Sequence, residues 1–224
     1  MSFDTLVQAL PQLLNGLEVT LALTALGIVL GTTLGILLAL GRSFAGRLLA
    51  SVVLVYEKVF RGIPLLVLFF IIYFGFPQFG LNLDAFSSAI LGLGLRSAAY
   101  QAQIYRGSIN AIPSGQITAA YSLGMSRLKA IRYVVLPQML RLSLPGWSNE
   151  FTILLKDTSL AFGIGVIELM RQGNYIQVRD PDLVLTVFLL IAAIYLVLVL
   201  TANRILKYLD QKYQMVGYQA EAHR

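Results

Sequence analysis

The sequence predicts an all-α integral membrane protein in which one domain, residues 1–224, crosses the bilayer five times. Hydrophobic residues make up 57% of the chain and charged residues only 12%, a balance that an ordinary soluble domain does not reach. Three long runs, 19–41, 62–83 and 183–203, carry no charge, and two further stretches of spanning length carry internal charges. A helix needs roughly 20 apolar residues to cross the hydrocarbon, so each segment is long enough.

Five transmembrane helices follow from these segments. We place them at about residues 15–41, 48–76, 85–108, 138–166 and 182–208. Helix 1 carries Gly27, Gly31 and Gly35 along one face. In lipid, such a stripe allows close helix packing, either within the bundle or with a second subunit, although glycine is also frequent in membrane helices generally.

Helix 2 is predicted to be interrupted near its midpoint, where Gly62 and Pro64 are separated by one residue. Proline removes a backbone donor and disfavours the helical conformation of the residue before it. Broken helices occur at binding sites in membranes, where the freed backbone groups face a cavity, and they also occur as plain kinks. The sequence leaves both interpretations open.

The charges outside the helices predict the orientation. The connections and tail that would share one side contain eleven Lys and Arg but two acids, whereas the opposite set contains two bases and six acids. The positive-inside rule therefore places the N-terminus outside and the C-terminus in the cytoplasm. The same rule explains the net charge of +6 without nucleic acid as a partner.

The connection between helices 3 and 4, residues 110–137, is predicted to be structured. Pro113 and Ser114 mark a helix start, a helical pattern runs over 116–123, and Gly124 ends it. A second helical stretch is predicted from about residue 126 to Pro137. A short helix displayed on the inner side indicates a docking element for a cytoplasmic partner, because a mere connector would not need one.

This segment resembles the EAA loop of ABC importer permeases, in which Glu-Ala-Ala is followed by three residues, Gly, nine residues and Ile-x-Leu-Pro. Here the pattern stands as Thr118-Ala119-Ala120, Gly124 and 134–137, with Val-Val-Leu-Pro at its end. Four further blocks, at 61–67, 98–107, 112–116 and 149–160, resemble the polar amino-acid branch of that family in order and spacing. Thr118 departs from the family pattern, which has glutamate at this position.

The resemblance implies the permease subunit of an ABC importer for polar amino acids, in the cytoplasmic (inner) membrane of a prokaryote. It also implies a second permease subunit, identical or homologous, cytoplasmic ABC ATPase subunits and an extracytoplasmic solute-binding protein. In such permeases the EAA helix sits in a groove of the ATPase. The residues implied in that coupling are Pro113, Gly115, Gln116, Thr118, Ala119, Ala120, Gly124, Leu136 and Pro137.

Charged residues inside the predicted helices are candidates for a substrate pathway, because an ionised side chain at the bilayer centre costs at least ~2.5–3.5 kcal/mol. Glu57 and Arg61 are spaced i,i+4, which favours an ion pair. Glu150 and Asp157 are seven apart and share a helix face, with Arg61 and Arg96 as available partners.

A balanced cluster of this kind suits a zwitterion, with bases for the carboxylate and acids for the ammonium group. A structural network of salt bridges is the alternative. The predicted pathway residues are Glu57, Arg61, Arg96, Ser97, Tyr100, Asn149, Glu150, Lys156, Asp157 and Thr158.

Other functions fit the sequence less well. The chain lacks the GxxxxGK[ST] phosphate loop, so we expect no bound cofactor, and ATP with Mg²⁺ would be held by the partner ATPase. The sequence contains no cysteine, no metal-ligand cluster and no nucleophile–base set, which argues against an enzyme. A secondary transporter or channel for a small zwitterionic solute would explain the buried charges but not the docking segment.

Overall fold

The computed structural model describes residues 3–213, with side chains from residue 10 onward, and this part of the chain is helical without any β-strand. Its α-helices are α1 (Phe3–Phe44), α2 (Arg47–Gly62), α3 (Leu65–Phe70), α4 (Ala85–Ala111), α5 (Ser114–Ser122), α6 (Arg127–Ala130), α7 (Leu136–Asp157), α8 (Leu169–Arg179) and α9 (Val184–Tyr213). The predicted all-α class is therefore confirmed.

Two of the described helices are long and apolar enough to span a membrane, Leu10–Phe44 and Pro181–Tyr213. A third span results if the bent pair Arg47–Gly62 and Leu65–Phe79 is counted as one. With 27 and 22 residues, α4 and α7 are about 40 Å and 33 Å long at 1.5 Å per residue, which also matches the hydrocarbon thickness. These two helices contain the internal charges noted above.

The interruption predicted within helix 2 is present, and it divides the predicted span 48–76 into two helical segments. α2 ends at Gly62, and the following helical segment begins at Leu65 with a change of direction of 105°. Ile63 and Pro64 are extended between them, because proline disfavours the helical conformation of its predecessor. The chain then continues through a π-helical turn and a 3₁₀ turn to Phe79. The break lies where the sequence placed it.

The glycine stripe of α1 packs against α4 of the same chain. A Cβ atom added to Gly31 would lie 2.9 Å from the side chains of Ser97 and Gln101, and one added to Gly35 would lie 2.9 Å from Gln101 Cβ. Contacts this short leave no room for a side chain, so the two backbones approach closely only because glycine is present. The stripe therefore has the intrachain role that was one of its two predicted uses.

The connection between α4 and α7 contains a helix, a reversal and a second helix, as predicted. Gly124 adopts a left-handed conformation, with φ of +77°, which glycine accommodates without strain. The prediction that the second stretch ends at Pro137 is wrong. The helical path continues from α6 through the π-helical turn Ile131–Val135 into α7. Pro137 therefore lies inside a continuous helical path, and the π-helical turn directly precedes the position where proline supplies no N–H.

The end of helix 4 and the connection after it also differ from the prediction. α7 ends at Asp157 rather than near residue 166, and the chain continues as the 3₁₀ turn Thr158–Ile164. It then forms α8, an 11-residue helix that the sequence analysis treated as a connection. α8 was missed because it is short and largely polar.

A buried carboxylate holds the start of α8. Glu168 is fully buried and accepts hydrogen bonds from the backbone N–H groups of Met170 and Arg171, each at 2.8 Å. The Tyr195 hydroxyl on α9 donates to the same carboxylate at 3.3 Å, and Leu169 N donates to Thr20 Oγ1 of α1 at 3.2 Å. These bonds fix α8 between α1 and α9.

Candidate functional site

An ion pair between α4 and α7 forms the centre of the candidate site. Arg96 Nη1 donates to Asp157 Oδ2, and the two side chains remain 21% and 23% exposed. Both residues were predicted from the sequence, but the sequence did not distinguish Asp157 from Glu150 as the partner of Arg96. The pair is partly open, so a charged ligand could reach either group without first unfolding the bundle.

Tyr100 lies next to this pair and brings two cations together. The guanidinium carbon of Arg61 lies 4.9 Å from the centre of the Tyr100 ring, and that of Arg96 lies 5.0 Å away. Both distances allow cation–π attraction. α2 and α4 thus supply two neighbouring positive groups on one aromatic ring, with the Asp157 carboxylate paired to one of them.

Glu150 is more deeply buried than Asp157, and a hydrogen bond from Ser97 holds its carboxylate. Ser97 Oγ donates to Glu150 Oε1 at 2.8 Å, and Gln101 Nε2 donates to Ser97 Oγ at 3.0 Å. Arg96 and Asp157 both act electrostatically on this carboxylate, which places it in the same charged cluster. Only 4% of Glu150 is exposed, so the hydrogen bond from Ser97 fixes its orientation.

A polar network that the sequence did not predict lies behind Ser97. Gln101 Oε1 accepts hydrogen bonds from Tyr105 at 2.8 Å and from Thr32 at 3.0 Å. Trp147 Nε1 donates to Thr32 Oγ1 at 3.0 Å, which returns the network to α7. One available signal was the i,i+4 spacing of Ser97, Gln101 and Tyr105 on one face of α4.

The predicted ion pair between Glu57 and Arg61 is wrong. Glu57 is fully buried and pairs instead with Arg42 at the end of α1, and it also accepts from Gln103 Nε2 at 3.1 Å. The turn between α1 and α2 brings the two helices side by side, so a residue 15 positions away displaces the neighbour four positions away. Arg61, left on the exposed side of α2, is directed to Tyr100.

Three other predicted pathway residues do not join the cluster. Asn149 and Lys156 are exposed on the outside of α7. Thr158 is buried, and its hydroxyl donates to the Leu155 carbonyl at 2.6 Å, as a serine or threonine near a helix end often does. The residues that do converge are Arg61, Arg96, Ser97, Tyr100, Glu150 and Asp157.

Most of the predicted coupling residues lie at the surface of the inner segment. The exposed ones are Pro113, Gly115, Gln116, Thr118, Ala119, Gly124 and Pro137. Ala120 is buried, with 3% exposed, and Leu136 is partly buried against the chain's own core. Gln116 Oε1 accepts a hydrogen bond of 2.6 Å from Gln138, which ties α5 to the start of α7.

The same segment displays large apolar side chains between basic ones. Leu123 and Leu128 are 79% and 74% exposed, and Tyr133 is 64% exposed. Arg127 and Arg132 lie beside them in the chain. Large exposed apolar side chains grouped on a structured segment are typical of an interaction surface.

Comparison with known proteins assigns the fold and this arrangement of helices to a family. Residues 31–215 match the family described as the binding-protein-dependent transport system inner membrane component. The chain belongs to this family. As an inner membrane component it is a multi-pass membrane protein of the inner membrane, and its part in transport is that of the membrane subunit.

Individual relatives support this assignment over most of the chain. This chain is 42% identical over 185 residues to the L-cystine transport system permease protein TcyB of Bacillus subtilis (strain 168). The match covers 83% of this chain and 79% of TcyB. The chain is 37% identical to the glutamine transport system permease protein GlnP of Escherichia coli (strain K12), covering 96% of this chain and all of GlnP.

A solved structure agrees with these relatives. The crystal structure of an amino acid ABC transporter with histidines has a chain that is 37% identical to this one. The two superpose with a TM-score of 0.85, over 95% of this chain and 99% of the other.

Proposed function

We propose that this chain is the permease subunit of an ABC importer that moves polar amino acids into the cytoplasm. The observation that carries the proposal is the cluster around the partly exposed Arg96–Asp157 pair, where bases and acids from α2, α4 and α7 converge. Relatives named as glutamine and L-cystine permeases are consistent with a substrate that carries both charges.

The cluster has the groups that a zwitterion needs. The α-carboxylate would exchange for Asp157 on Arg96, with Arg61 as a second cation nearby, and an arginine fork matches a carboxylate in a bidentate way. The released Asp157 carboxylate, with Glu150 behind it, would face the ammonium group. Such an exchange keeps every charge paired, which is required where water is scarce.

We further propose that the chain forms one domain with five spans, with its N-terminus outside and its C-terminus in the cytoplasm. The lengths of α4 and α7 and the excess of Lys and Arg on one side support this arrangement. In it, segment 110–137 lies at the cytoplasmic face.

The energy would come from a separate ATPase subunit, which binds Mg²⁺-ATP, while this chain binds no cofactor. α5 and the exposed apolar residues after it would dock on that subunit, and the second permease subunit and an extracytoplasmic solute-binding protein would complete the importer. Membership of a binding-protein-dependent transport family supports these partners.

Uptake by the reconstituted importer tests the proposal. Proteoliposomes that contain this chain with its ATPase, supplied with binding protein outside and ATP inside, should accumulate a polar amino acid such as glutamine or cystine. A non-hydrolysable ATP analogue should abolish uptake. Uptake that needs only an ion gradient, with no dependence on ATP, would contradict the proposal.

A further inference from the structure

A basic pocket lies at the end of the bundle where α1 turns into α2. Its volume is about 710 Å³, and it is bordered by the start of α2, the end of α4 and the start of α5. The side chains of Arg42, Arg47 and Arg106 line it, together with Ser43 and Ser114. The pocket is separate from the Arg96–Asp157 cluster and shares no lining residue with it.

The cations of this pocket exceed the acids that face it. Glu57 already neutralises Arg42 from behind. Between residues 10 and 213, Arg47 and Arg106 have no carboxylate within ion-pair distance. Two arginines that line one pocket without an acid partner make its potential positive, so the site favours an anion.

Two buried donors in this pocket have no partner in the described part of the chain. They are Arg106 Nε and Ser43 Oγ, both shielded from solvent. Buried polar atoms are nearly always hydrogen-bonded, so two residues of the pocket lining each carry a donor that the described residues leave without an acceptor. Both atoms are closed to solvent, so a phosphate oxygen would accept from them only after the two side chains turn toward the pocket.

The N-terminus of α5 adds to the positive potential of this pocket. This nine-residue helix begins at Ser114 on the pocket wall, and its N-cap residue, Pro113, supplies no side-chain hydrogen bond to the first turn. Free N–H groups at a helix N-terminus attract anions, and phosphate groups above all.

We propose that this pocket binds the phosphate group of an anionic membrane lipid. Ala50, Leu54 and Ile109 form an apolar wall beside the arginines. Acyl chains can follow that surface, whereas a soluble phosphate would gain nothing from it. Basic pockets between helices at the cytoplasmic face are suited to anionic headgroups. The location rests on the proposed orientation.

Lipid binding to the purified full-length chain tests this site. The chain in detergent is titrated with phosphatidylglycerol, phosphatidylcholine or inorganic phosphate, and bound lipid is counted by native mass spectrometry. Phosphatidylglycerol should bind, and the double variant Arg47→Gln with Arg106→Gln should weaken it about tenfold, as expected for loss of two charge-assisted contacts. The matched control, Arg204→Gln with Lys207→Gln, removes the same charge from the exposed end of α9 and should change binding less than about twofold.

Other outcomes overturn the proposal. Equal phosphatidylglycerol binding by the double variant and the control would place the lipid elsewhere. Competition by inorganic phosphate at concentrations equal to the lipid would assign the pocket to a soluble anion.

If the double variant has a lower melting temperature than the unmodified chain in phosphatidylcholine, the single variant Arg47→Gln replaces it, because Arg47 is exposed. This single variant should still weaken phosphatidylglycerol binding measurably. No effect there would also reject the site. Because the assay needs neither ATPase nor amino acid, its failure leaves the uptake experiment as an independent test of the proposed function.

Discussion

At the scale of single residues, the Arg96–Asp157 pair differs from the other ion pair in the described part of the chain. Arg42 and Glu57 are 16% and 0% exposed and lie where helices are clamped together, whereas Arg96 and Asp157 are both more than a fifth exposed. Breaking a fully buried pair leaves a stranded charge and is strongly destabilising. A partly open pair tolerates loss of one partner better, which makes exchange with a ligand feasible.

We expect Arg96→Gln to reduce amino-acid uptake about tenfold or more, because the substrate carboxylate loses its charge-assisted partner. The melting temperature of the chain should change little, because water reaches the remaining Asp157. The measurement pairs proteoliposome uptake with thermal unfolding in detergent, and Lys156→Gln, an exposed cation on α7, is the control that should keep uptake.

The double variant Arg96→Gln with Asp157→Asn separates a transport role from a structural one. In the transport role the double variant stays inactive, because neither substrate charge finds its partner. A large loss of stability in Arg96→Gln that the double variant recovers, together with uptake, would mean that the pair only holds the bundle.

At the scale of elements, the inner segment shows two faces on one short helix. Adjacent alanines in α5 have opposite environments, since Ala120 is buried and Ala119 is exposed. Substitution of Ala120 would therefore disturb the segment itself, whereas Ala119 reports on whatever binds outside. The reversal at Gly124 sets the angle at which α5 is presented.

We expect Ala119→Asp to reduce substrate-stimulated ATP hydrolysis about tenfold, because a charge in a closely packed helix contact excludes the partner surface. Membrane insertion and the melting temperature should be unchanged. Thr118→Glu adds the same charge one residue earlier, at the position where the EAA pattern has glutamate, and should keep stimulation. If both variants keep full substrate-stimulated ATP hydrolysis, α5 does not dock on the ATPase.

α4 begins with a capping carboxylate at its N-terminus. Asp84 precedes its first residue, and its carboxylate accepts a hydrogen bond from Ser87 N at 3.3 Å. Hydrogen bonding to Ser87 lowers the pKa of Asp84, so this cap is ionised at neutral pH and is lost only as the pH falls through that lowered value.

At the scale of the whole molecule, the number of spans and the orientation are the features that a labelling experiment decides. The chain contains no cysteine, so single cysteines can be introduced without removing any. Ser122 in α5 and Val178 in α8 are exposed and lie in the two connections that flank α7. In the proposed five-span arrangement, α7 crosses the membrane once between them and places them on opposite sides.

We expect Ser122→Cys to react with a membrane-impermeant maleimide only in inside-out vesicles, and Val178→Cys only in right-side-out vesicles, because the positive-inside rule orients the chain. Gel-shift labelling in both vesicle types measures this. Labelling of both cysteines from the same side would contradict the five-span arrangement, and the reversed pattern would contradict only the orientation.

The sequence determined the features that depend on local composition. Long apolar runs required helices, because unpaired backbone groups are costly in hydrocarbon, and Gly62 and Pro64 located the break in helix 2. Gly124 marked the end of α5 because the chain reverses there in a left-handed conformation that glycine adopts without strain. α8 was missed because an 11-residue polar helix leaves a weak pattern, and its cap depends on partners in α1 and α9.

Only the tertiary structure decided which charges meet. By spacing along α2, Glu57 favoured Arg61, but the fold brought Arg42 to it and left Arg61 for Tyr100. In the same way Asp157 received Arg96, 61 positions away, while Glu150 received Ser97. An ion pair depends on distance in space, and residues far apart in the chain become neighbours only when helices pack. Local spacing therefore predicts that such charges need partners, and the packing of α1, α2, α4 and α7 selects them.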